Sequence, residues 1–201
     1  MYALVEDGSI SKLITNPKSM VIGDVRYPAK IFQLWSVSEK EAIGIYEVVF
    51  NNSNKKDEKW YINTNQSFAF ADGAVTASYG TATPKAHADT LWTAQDETDG
   101  KGTEGEVATR GLKYNLIQNL KSQVANELAR TDWYITRNTE KSTAIPSAIS
   151  THRDAVRTKQ ATMETAITNA SNTPALETLY TYTTTDGVQS RPLGELPILE
   201  L

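Results

Sequence analysis

Short apolar runs bounded by turn residues dominate the first third of the chain, and this pattern is typical of β-strands. Asp7-Gly8 and Asp72-Gly73 each separate two such runs, and an Asp-Gly pair is the two-residue signal of a type I′ turn. Two hairpins are therefore predicted, with strands over residues 1–6 and 9–14 and over residues 67–71 and 74–79.

Between these hairpins the sequence predicts a short helix followed by two more strands. Residues 45–50 and 59–63 are rich in Val, Ile, Tyr and Trp, which favours strands. Residues 36–44 predict a helix of about two turns, because a capping box opens the segment and Gly44 can end it. The candidate capping boxes are Ser36 with Glu39 and Ser38 with Glu41.

In the second half of the chain the apolar residues recur at spacings of three to five, which predicts amphipathic helices. One stripe extends over residues 107–128, a polar loop covers residues 138–142, and Pro146 suits the first turn of a second helix. The two helices together predict an αα-hairpin. The first stripe comprises Val107, Leu112, Leu116, Ile117, Leu120, Val124 and Leu128, and the second comprises Ile149, Val156, Met163 and Ile167.

The predicted fold class is α+β. We expect a β-rich N-terminal domain over residues 1–94, an acidic, glycine-rich linker over 95–106, a helical hairpin over 107–170 and an extended tail over 171–201. The tail mixes Thr, Tyr and Pro without an apolar stripe, so it cannot form a core alone. It is expected to dock on a neighbouring subunit as a strand or hook.

Charge and composition narrow the possible functions. The 201 residues include 20 basic and 24 acidic ones, a net charge of −4, so no global positive field favours nucleic acid or anionic lipid. No run approaches the ~20 apolar residues that span a bilayer, and the first residues lack the basic region of a secretory signal. Without cysteine there are no disulfides and no thiol chemistry. We expect neither a nucleic-acid nor a membrane partner.

Catalytic patterns are absent from the sequence. His87 and His152 are the only histidines, and neither lies in a metal-ligand spacing. No G-x-S-x-G elbow is present, and no motif links a serine to a histidine. The sequence therefore predicts a protein that is not an enzyme and has no catalytic residue and no cofactor.

Residues 95–106 are the best metal candidate. Aligning Gly100 with the turn glycine of a calcium loop places Glu97, Asp99 and Glu106 at ligand positions. A glutamine stands where the first aspartate belongs, however, and no helix is predicted before the loop. The segment also spells G-x-G-x-x-G, but it follows an acidic run and would repel a pyrophosphate. A solvated linker without metal is the favoured interpretation.

The segment around Trp133 supports two interpretations. In the structural one, Thr131 and Asp132 end the long helix, and Trp133 with Ile135 fills the space between the two helices. The arginines would then pair with Asp132, Glu140 and Asp154. In the functional one, the segment is a protein-interaction site, because such sites are enriched in Trp, Tyr and Arg. The candidate interaction residues are Trp133, Tyr134, Arg130, Arg137, Arg153 and Arg157.

This region resembles a module of tailed-bacteriophage tail-fibre and tail-assembly proteins. Residues 128–137 match the pattern Leu-x-x-Thr-Asp-Trp-x-x-x-Arg, and Pro146 and Arg153-x-x-x-Arg157 follow in the expected order. Upstream, Tyr27-Pro28 and residues 35–45 are similar to an element that often heads the same proteins. The tail of this chain continues beyond the point at which the family often closes.

The resemblance implies a non-enzymatic structural component of the virion tail, such as a fibre, adaptor or baseplate subunit, assembled in the host cytoplasm. Its expected partners are other phage tail proteins and further copies of itself. Two alternatives remain open. One is a tail-fibre assembly chaperone that is absent from the mature particle. The other is a receptor module that binds host-surface glycans through Trp60, Trp92 and Tyr79.

Overall fold

The computed structural model describes residues 1–199, and the chain divides into two compact units at the junction between Thr83 and Pro84. The first unit is rich in strands and the second in helices, so the α+β prediction is confirmed. The sequence places its domain boundary at residue 94. The compact units divide earlier, because residues 84–94 belong with the helical part.

A five-stranded sheet forms the centre of the first unit. Its strand order is β2-β1-β5-β8-β7; β5 and β8 are parallel, and the other neighbours are antiparallel. Two smaller two-stranded sheets pair β3 with β4 and β6 with β9. The elements are β1 (Tyr2–Glu6), β2 (Ser9–Ile14), β3 (Met20–Ile22), β4 (Val25–Tyr27), α1 (Ile31–Leu34), α2 (Val37–Glu41), β5 (Ile45–Asn51), β6 (Tyr61–Ile62), β7 (Ser67–Ala71), β8 (Ala74–Ser78) and β9 (Thr83–Pro84).

Both predicted hairpins are confirmed. Asp7 and Gly8 have φ angles of 50° and 74°, and Asp72 and Gly73 have φ angles of 51° and 74°. Two consecutive left-handed residues are what a type I′ turn requires, and the Asp-Gly pair tolerates that conformation. At both turns the backbone therefore adopts the conformation that the Asp-Gly pair predicts.

The capping box of helix α2 uses Ser36 and Glu39, the first of the two predicted pairs. The Glu39 amide donates to Oγ of Ser36, and the Ser36 amide donates to the Glu39 carboxylate at 2.8 Å. The Ser36 hydroxyl and, to a smaller extent, the Ser36 amide donate to this carboxylate and lower the pKa of Glu39. After the helix, Gly44 has φ +80° and approaches the Val5 carbonyl so closely that a Cβ would lie 2.5 Å from its oxygen. No other residue fits there without a shift of the backbone.

The core of the first unit has two clusters, because successive strand residues point to opposite faces. Ala3 and Leu4 are neighbours in β1 but belong to different clusters. One cluster contains Leu4, Ile14, Ile31, Phe32 and Ile45, and the other contains Ala3, Val48, Val75 and Ala77.

Two long antiparallel helices form the framework of the second unit. Lys113, at the start of one, donates to the carbonyl of Thr168 at the end of the other, and Arg153 makes the reciprocal contact to Leu128. The predicted αα-hairpin is confirmed. The elements are β10 (Thr90–Leu91), α3 (Ala94–Thr98), β11 (Val107–Thr109), α4 (Leu112–Ala129), α5 (Asp132–Lys141), α6 (Ser147–Asn169), α7 (Thr173–Tyr180), β12 (Thr183–Thr185) and β13 (Val188–Ser190).

The predicted apolar stripes lie where the two long helices meet. Leu116, Leu120 and Val124 of α4 are buried. On α6, all four predicted stripe residues are buried, and Val156 and Ile167 are completely inaccessible to solvent. The spacing of three and four residues places these side chains on one face of each helix, and burial of that face stabilises the pair.

Helix α4 begins later than predicted. Val107 lies in β11, and Gly111 is the N-cap residue of α4. The Gly111 amide donates to Oδ1 of Asp89 at 2.8 Å, so the chain is held at this point before it becomes helical. A Cβ on Gly111 would lie 2.3 Å from the Ala88 carbonyl, which explains why a glycine occupies the position.

The loop predicted over residues 138–142 is wrong, because α5 continues to Lys141 and ends at Ser142 in the left-handed conformation. The tail prediction is also wrong for residues 173–190. That segment forms α7 and a two-stranded hairpin, and Leu176 and Leu193 are buried within this chain. The tail residues 200 and 201 lie outside the described residues.

Hydrogen bonds between its own residues hold the described part of the tail. The Tyr182 hydroxyl donates to Glu195 at 2.6 Å, and Nη2 of Arg191 donates to the same carboxylate at 2.7 Å. The Leu193 amide donates to the carbonyl of Leu179. No neighbouring subunit is needed to explain this order.

Candidate protein-binding surface

A short break between α4 and α5 builds the site. The Thr131 amide donates to the carbonyl of Leu128, and the Tyr134 amide donates to the carbonyl of Thr131, so the chain turns and becomes helical again at once. Thr131 is buried, whereas Asp132 and Trp133, which follow it, are exposed. The break thus separates an inward-facing residue from an outward-facing segment.

Arg153 of α6 holds this break from the inside. Its Nη1 atom donates to the carbonyl oxygen of Leu128 at 2.8 Å. The same nitrogen lies 2.6 Å from Oγ1 of Thr131 and 2.8 Å from Oδ1 of Asp132. We call these four residues the Arg153 clamp. The clamp adds a further donor to the Leu128 carbonyl, which already accepts from the Thr131 amide at the end of α4.

The clamp also explains why Thr131 does not cap α5 with its side chain. Its hydroxyl donates to the Leu128 carbonyl and accepts from Arg153, so it makes no side-chain hydrogen bond to the first turn of α5. The Thr-Asp pair therefore works as a tertiary anchor for Arg153.

A second buried contact lies beside the clamp. Nε2 of His152 lies 3.0 Å from Oε1 of Glu127, and Arg130 bonds the same carboxylate at 2.9 Å. An ionised carboxylate can only accept, so His152 donates through Nε2–H. Burial acts to raise the pKa of Glu127, but the hydrogen bonds and positive charges of Arg130 and His152 outweigh it, and the pKa is lowered.

Three residues on the outer side of α5 form a stacked group, which we call the aromatic–arginine patch: Trp133, Tyr134 and Arg137. The Trp133 and Tyr134 ring centroids are 3.9 Å apart, with 35° between the ring planes. The Arg137 guanidinium lies 4.6 Å from the Trp133 centroid and 5.4 Å from that of Tyr134. Such cation–π contacts hold the three side chains in one arrangement.

The prediction that Trp133 and Ile135 fill the space between the helices is wrong. Trp133 is 51% exposed and Ile135 is 38% exposed. The reason is that Arg153 bonds the buried Thr131 and the exposed Asp132, and the helix that follows this fixed turn carries Trp133 to the outside. Aliphatic side chains of α4 and α6 already fill the interior.

The three remaining candidate residues, all arginines, lie outside the aromatic–arginine patch. Arg153 is buried and belongs to the clamp, where it pairs with Asp132 as predicted. Arg157 is exposed and pairs with Asp154, also as predicted. Arg130 pairs instead with Glu127, three residues before it, so its expected acidic partner was wrong. A shallow cavity of about 110 Å³ between Ile135, Ile145 and Arg157 is too small for a cofactor.

Residues 92–106, most of which are exposed as expected of a solvated linker, form a folded projection that contains helix α3, and we call it the acidic arm. Trp92 closes the arm: its amide donates to the Glu106 carbonyl at 2.9 Å, and its carbonyl accepts from Gly105 at 3.0 Å. Gly102 lies against the indole ring, where a Cβ would be 2.3 Å from Nε1. Strands β10 and β11 form its stem.

A capping box and a lysine organise the tip of this arm. Thr93 and Asp96 form the box at the start of α3, and Lys101 lies 3.0 Å from Asp96 and 3.1 Å from Asp99. The hydrogen bonds from Thr93 and then from Lys101 lower the pKa of Asp96 to about 2. Lys101 thus pairs with Asp99, one of the three candidate calcium ligands.

The remaining chemical candidates gain no support. In residues 1–199, no group of three or more His, Cys, Asp or Glu is arranged to hold a metal ion. His87 lies in the segment before α4, where its carbonyl accepts from the Lys113 amide. Of the predicted glycan-binding residues, Trp60 is only 3% exposed and cannot stack on a sugar, whereas Trp92 is half-buried with Gly102 against its ring and Tyr79 is half-buried.

Sequence reasoning missed two parts of the site. The helix α3 had a visible signal, because Thr93 with Asp96 is a capping-box spacing. The Glu127–His152 contact had none, since the two residues are 25 positions apart and neither belongs to a motif.

Comparison with protein-family models, with curated protein sequences and with solved structures gave no match to this chain. Among the described helices, none is both long and apolar enough to cross a membrane.

Proposed function

We propose that this protein is a non-enzymatic structural component of a bacteriophage tail, a fibre, adaptor or baseplate subunit that works through protein–protein contacts. The observation that carries the proposal is the exposure of Trp133 next to Tyr134 and under Arg137. The resemblance of residues 128–157 to tail-fibre and tail-assembly proteins supplies the biological setting.

The aromatic–arginine patch has the properties of a binding hot spot. Trp, Tyr and Arg are the residue types most enriched at such positions. The ring stacking and the helix hold the three side chains in place before any partner arrives, so binding costs less conformational entropy. A half-exposed tryptophan also leaves apolar area in water that a partner can cover.

The Arg153 clamp supports the patch from beneath. Thr131 and Asp132 are fixed by Arg153, and Trp133 follows directly, so the clamp sets the direction in which α5 leaves α4. This arrangement gives a physical reason for the Thr-Asp-Trp order: two residues anchor the turn and the third is presented to a partner. Partners in this proposal are other tail proteins and further copies of the chain, in the virion tail.

The proposal is tested by mass spectrometry of purified virus particles. We expect the protein at a defined copy number, and we expect particles complemented with Trp133→Ala to lose it. Tyr114→Ala is the matched control, because Tyr114 is also a partly exposed aromatic with an arginine, Arg110, 4.2 Å from its ring. Tyr114→Ala should be incorporated like the wild type.

Absence of the wild-type protein from intact particles would contradict a structural role. If it were then found bound to unassembled fibre proteins in infected cells, the assembly-chaperone alternative would replace it. Equal incorporation of Trp133→Ala and Tyr114→Ala would show that the patch is not the contact.

A further inference from the structure

Arg137 has an unmet requirement for an acceptor. Its Nε atom is buried and has no hydrogen-bond partner in the described structure. Within residues 1–199, no carboxylate lies within ion-pair distance of its guanidinium, whereas Arg130, Arg153 and Arg157 each have one. The buried Nε is closed to a partner, but the terminal Nη atoms are not among the buried unsatisfied atoms and form no ion pair in the described residues, so they are suited to bind a carboxylate from a partner.

The acidic arm offers carboxylates of this kind. It contains five acidic residues and one lysine, a net charge of −4 that equals the net charge of the whole chain. Asp96 and Asp99 are engaged by Lys101, and Glu97 accepts from the Glu104 amide. The acidic residues of the arm are Asp96, Glu97, Asp99, Glu104 and Glu106.

Glu104 and Glu106 are the arm residues left for a partner. Both side chains are exposed, and neither forms an ion pair in the described part of the chain. They lie in the turn and bend that lead into β11, and the contacts of Trp92 with Gly105 and Glu106 fix the backbone there. The carboxylates are therefore presented on an ordered backbone.

We propose that a second copy of this chain places Glu104 and Glu106 of its acidic arm on the aromatic–arginine patch. This inference rests on the proposed function and names the partner of that surface. The argument is charge complementarity: the unpaired cation of the patch meets the segment in which the negative charge of the chain is concentrated. Because patch and arm are different surfaces, the contact is heterologous and joins copies head to tail.

Sedimentation equilibrium of the purified full-length chain tests the proposal. We expect the wild type to associate in a concentration-dependent manner. The association constant should fall at least tenfold between 50 and 500 mM salt, because added salt shortens the Debye length and screens the attraction between the charges. Arg137→Glu and the double variant Glu104→Lys/Glu106→Lys should each sediment as monomers. Mixed together, they should form a 1:1 dimer and nothing larger, because only one intact patch and one intact arm remain.

Matched controls separate this contact from a general effect of charge. Glu6→Lys/Asp24→Lys changes the net charge by the same amount as the arm variant, at exposed positions of the first unit. Arg26→Glu, also at an exposed position there, matches the patch variant. Both controls should associate like the wild type. Arg137→Gln, with circular dichroism for each variant, guards against a loss of folding.

The proposal is overturned if the wild type remains a monomer at the highest concentration, if the arm variant associates like the wild type, or if the two variants fail to combine. Its failure is distinguishable from failure of the proposed function. A monomeric protein that still enters particles through Trp133 would leave the tail role intact and assign the patch to a different tail protein.

Discussion

The Arg153 clamp and the aromatic–arginine patch each centre on an arginine, but the two arginines have different surroundings. Arg153 is buried and donates to three acceptors, whereas Arg137 lies over two rings and forms no ion pair in the described residues. An arginine whose donors are satisfied inside the chain supports the fold, and one without a carboxylate partner is available for binding.

The largest effect is expected when the Arg153 clamp is removed. Arg153→Met removes the buried guanidinium that donates to the Leu128 carbonyl, the Thr131 hydroxyl and the Asp132 carboxylate, and it should lower the free energy of unfolding by about 3 kcal/mol because these charge-assisted hydrogen bonds are lost. Urea denaturation measures the loss.

Arg157→Met is the matched control, one turn further along α6. Its side chain is 51% exposed and pairs with Asp154, which is 78% exposed, so the loss should be about 0.5 kcal/mol or less. Equal losses for the two variants would mean that the clamp contributes no more than a surface ion pair.

The second test addresses the patch. Trp133→Ala should lower the free energy of unfolding by about 1–2 kcal/mol, because only half of the side chain is buried. A tryptophan that filled the core would cost about 3–5 kcal/mol. Thermal and urea unfolding give the value, and sedimentation of the same sample shows whether association is lost.

A loss above about 3 kcal/mol in this test would restore the structural interpretation of Trp133. Tyr114→Ala provides the reference for an exposed aromatic under an arginine on a neighbouring helix. It should change stability by a comparable amount and leave association unchanged.

These same residues show how much of the structure can be predicted from the sequence. The αα-hairpin follows from periodicity alone, because Leu116, Leu120 and Val124 share one helix face wherever the helix packs. The side of α5 on which Trp133 lies does not follow, since it depends on Arg153, which is 21 positions from Asp132. Local spacing carries no information about such a contact.

The acidic arm shows the same division. Its start has a local signal, the Thr93–Asp96 capping box. Its closure depends on two contacts: Trp92 lies against Gly102, and Lys101 lies between two aspartates. The composition of the segment does not predict either contact. A segment without aliphatic residues can thus be ordered by one aromatic ring and a few charges.

A third test uses pH to examine the contact beside the clamp. The lowered pKa of Glu127 means that its interactions with Arg130 and His152 stabilise the fold at neutral pH, above the unfolded value of about 4.3, and that this contribution is lost as the pH falls through the folded pKa. At pH 7, Glu127→Gln should cost about 1 kcal/mol.

The difference between wild type and Glu127→Gln should shrink as the pH is lowered from 5 to 3, measured by urea denaturation at each pH. A difference that stays constant over this range would show that the Glu127 charge does not matter. Glu164→Gln serves as the control. Glu164 is a partly buried glutamate of the same helical pair, and its carboxylate accepts from Gln160.

The smallest effect is local and concerns the acidic arm. Asp96 has a pKa of about 2 because Thr93 and Lys101 bond its carboxylate, so its contribution to the arm is complete above an unfolded pKa of about 3.9 and is lost as the pH falls through about 2. The indole N–H resonance of Trp92, which lies against Gly102, should therefore change with a midpoint near that low pH. Its limiting shift should match that of Asp96→Asn at neutral pH, and Asp154→Asn should leave it unchanged. A midpoint near 3.9 would show that Lys101 and Thr93 do not hold the carboxylate, and the arm would then be too mobile to present Glu104 and Glu106 as a binding surface.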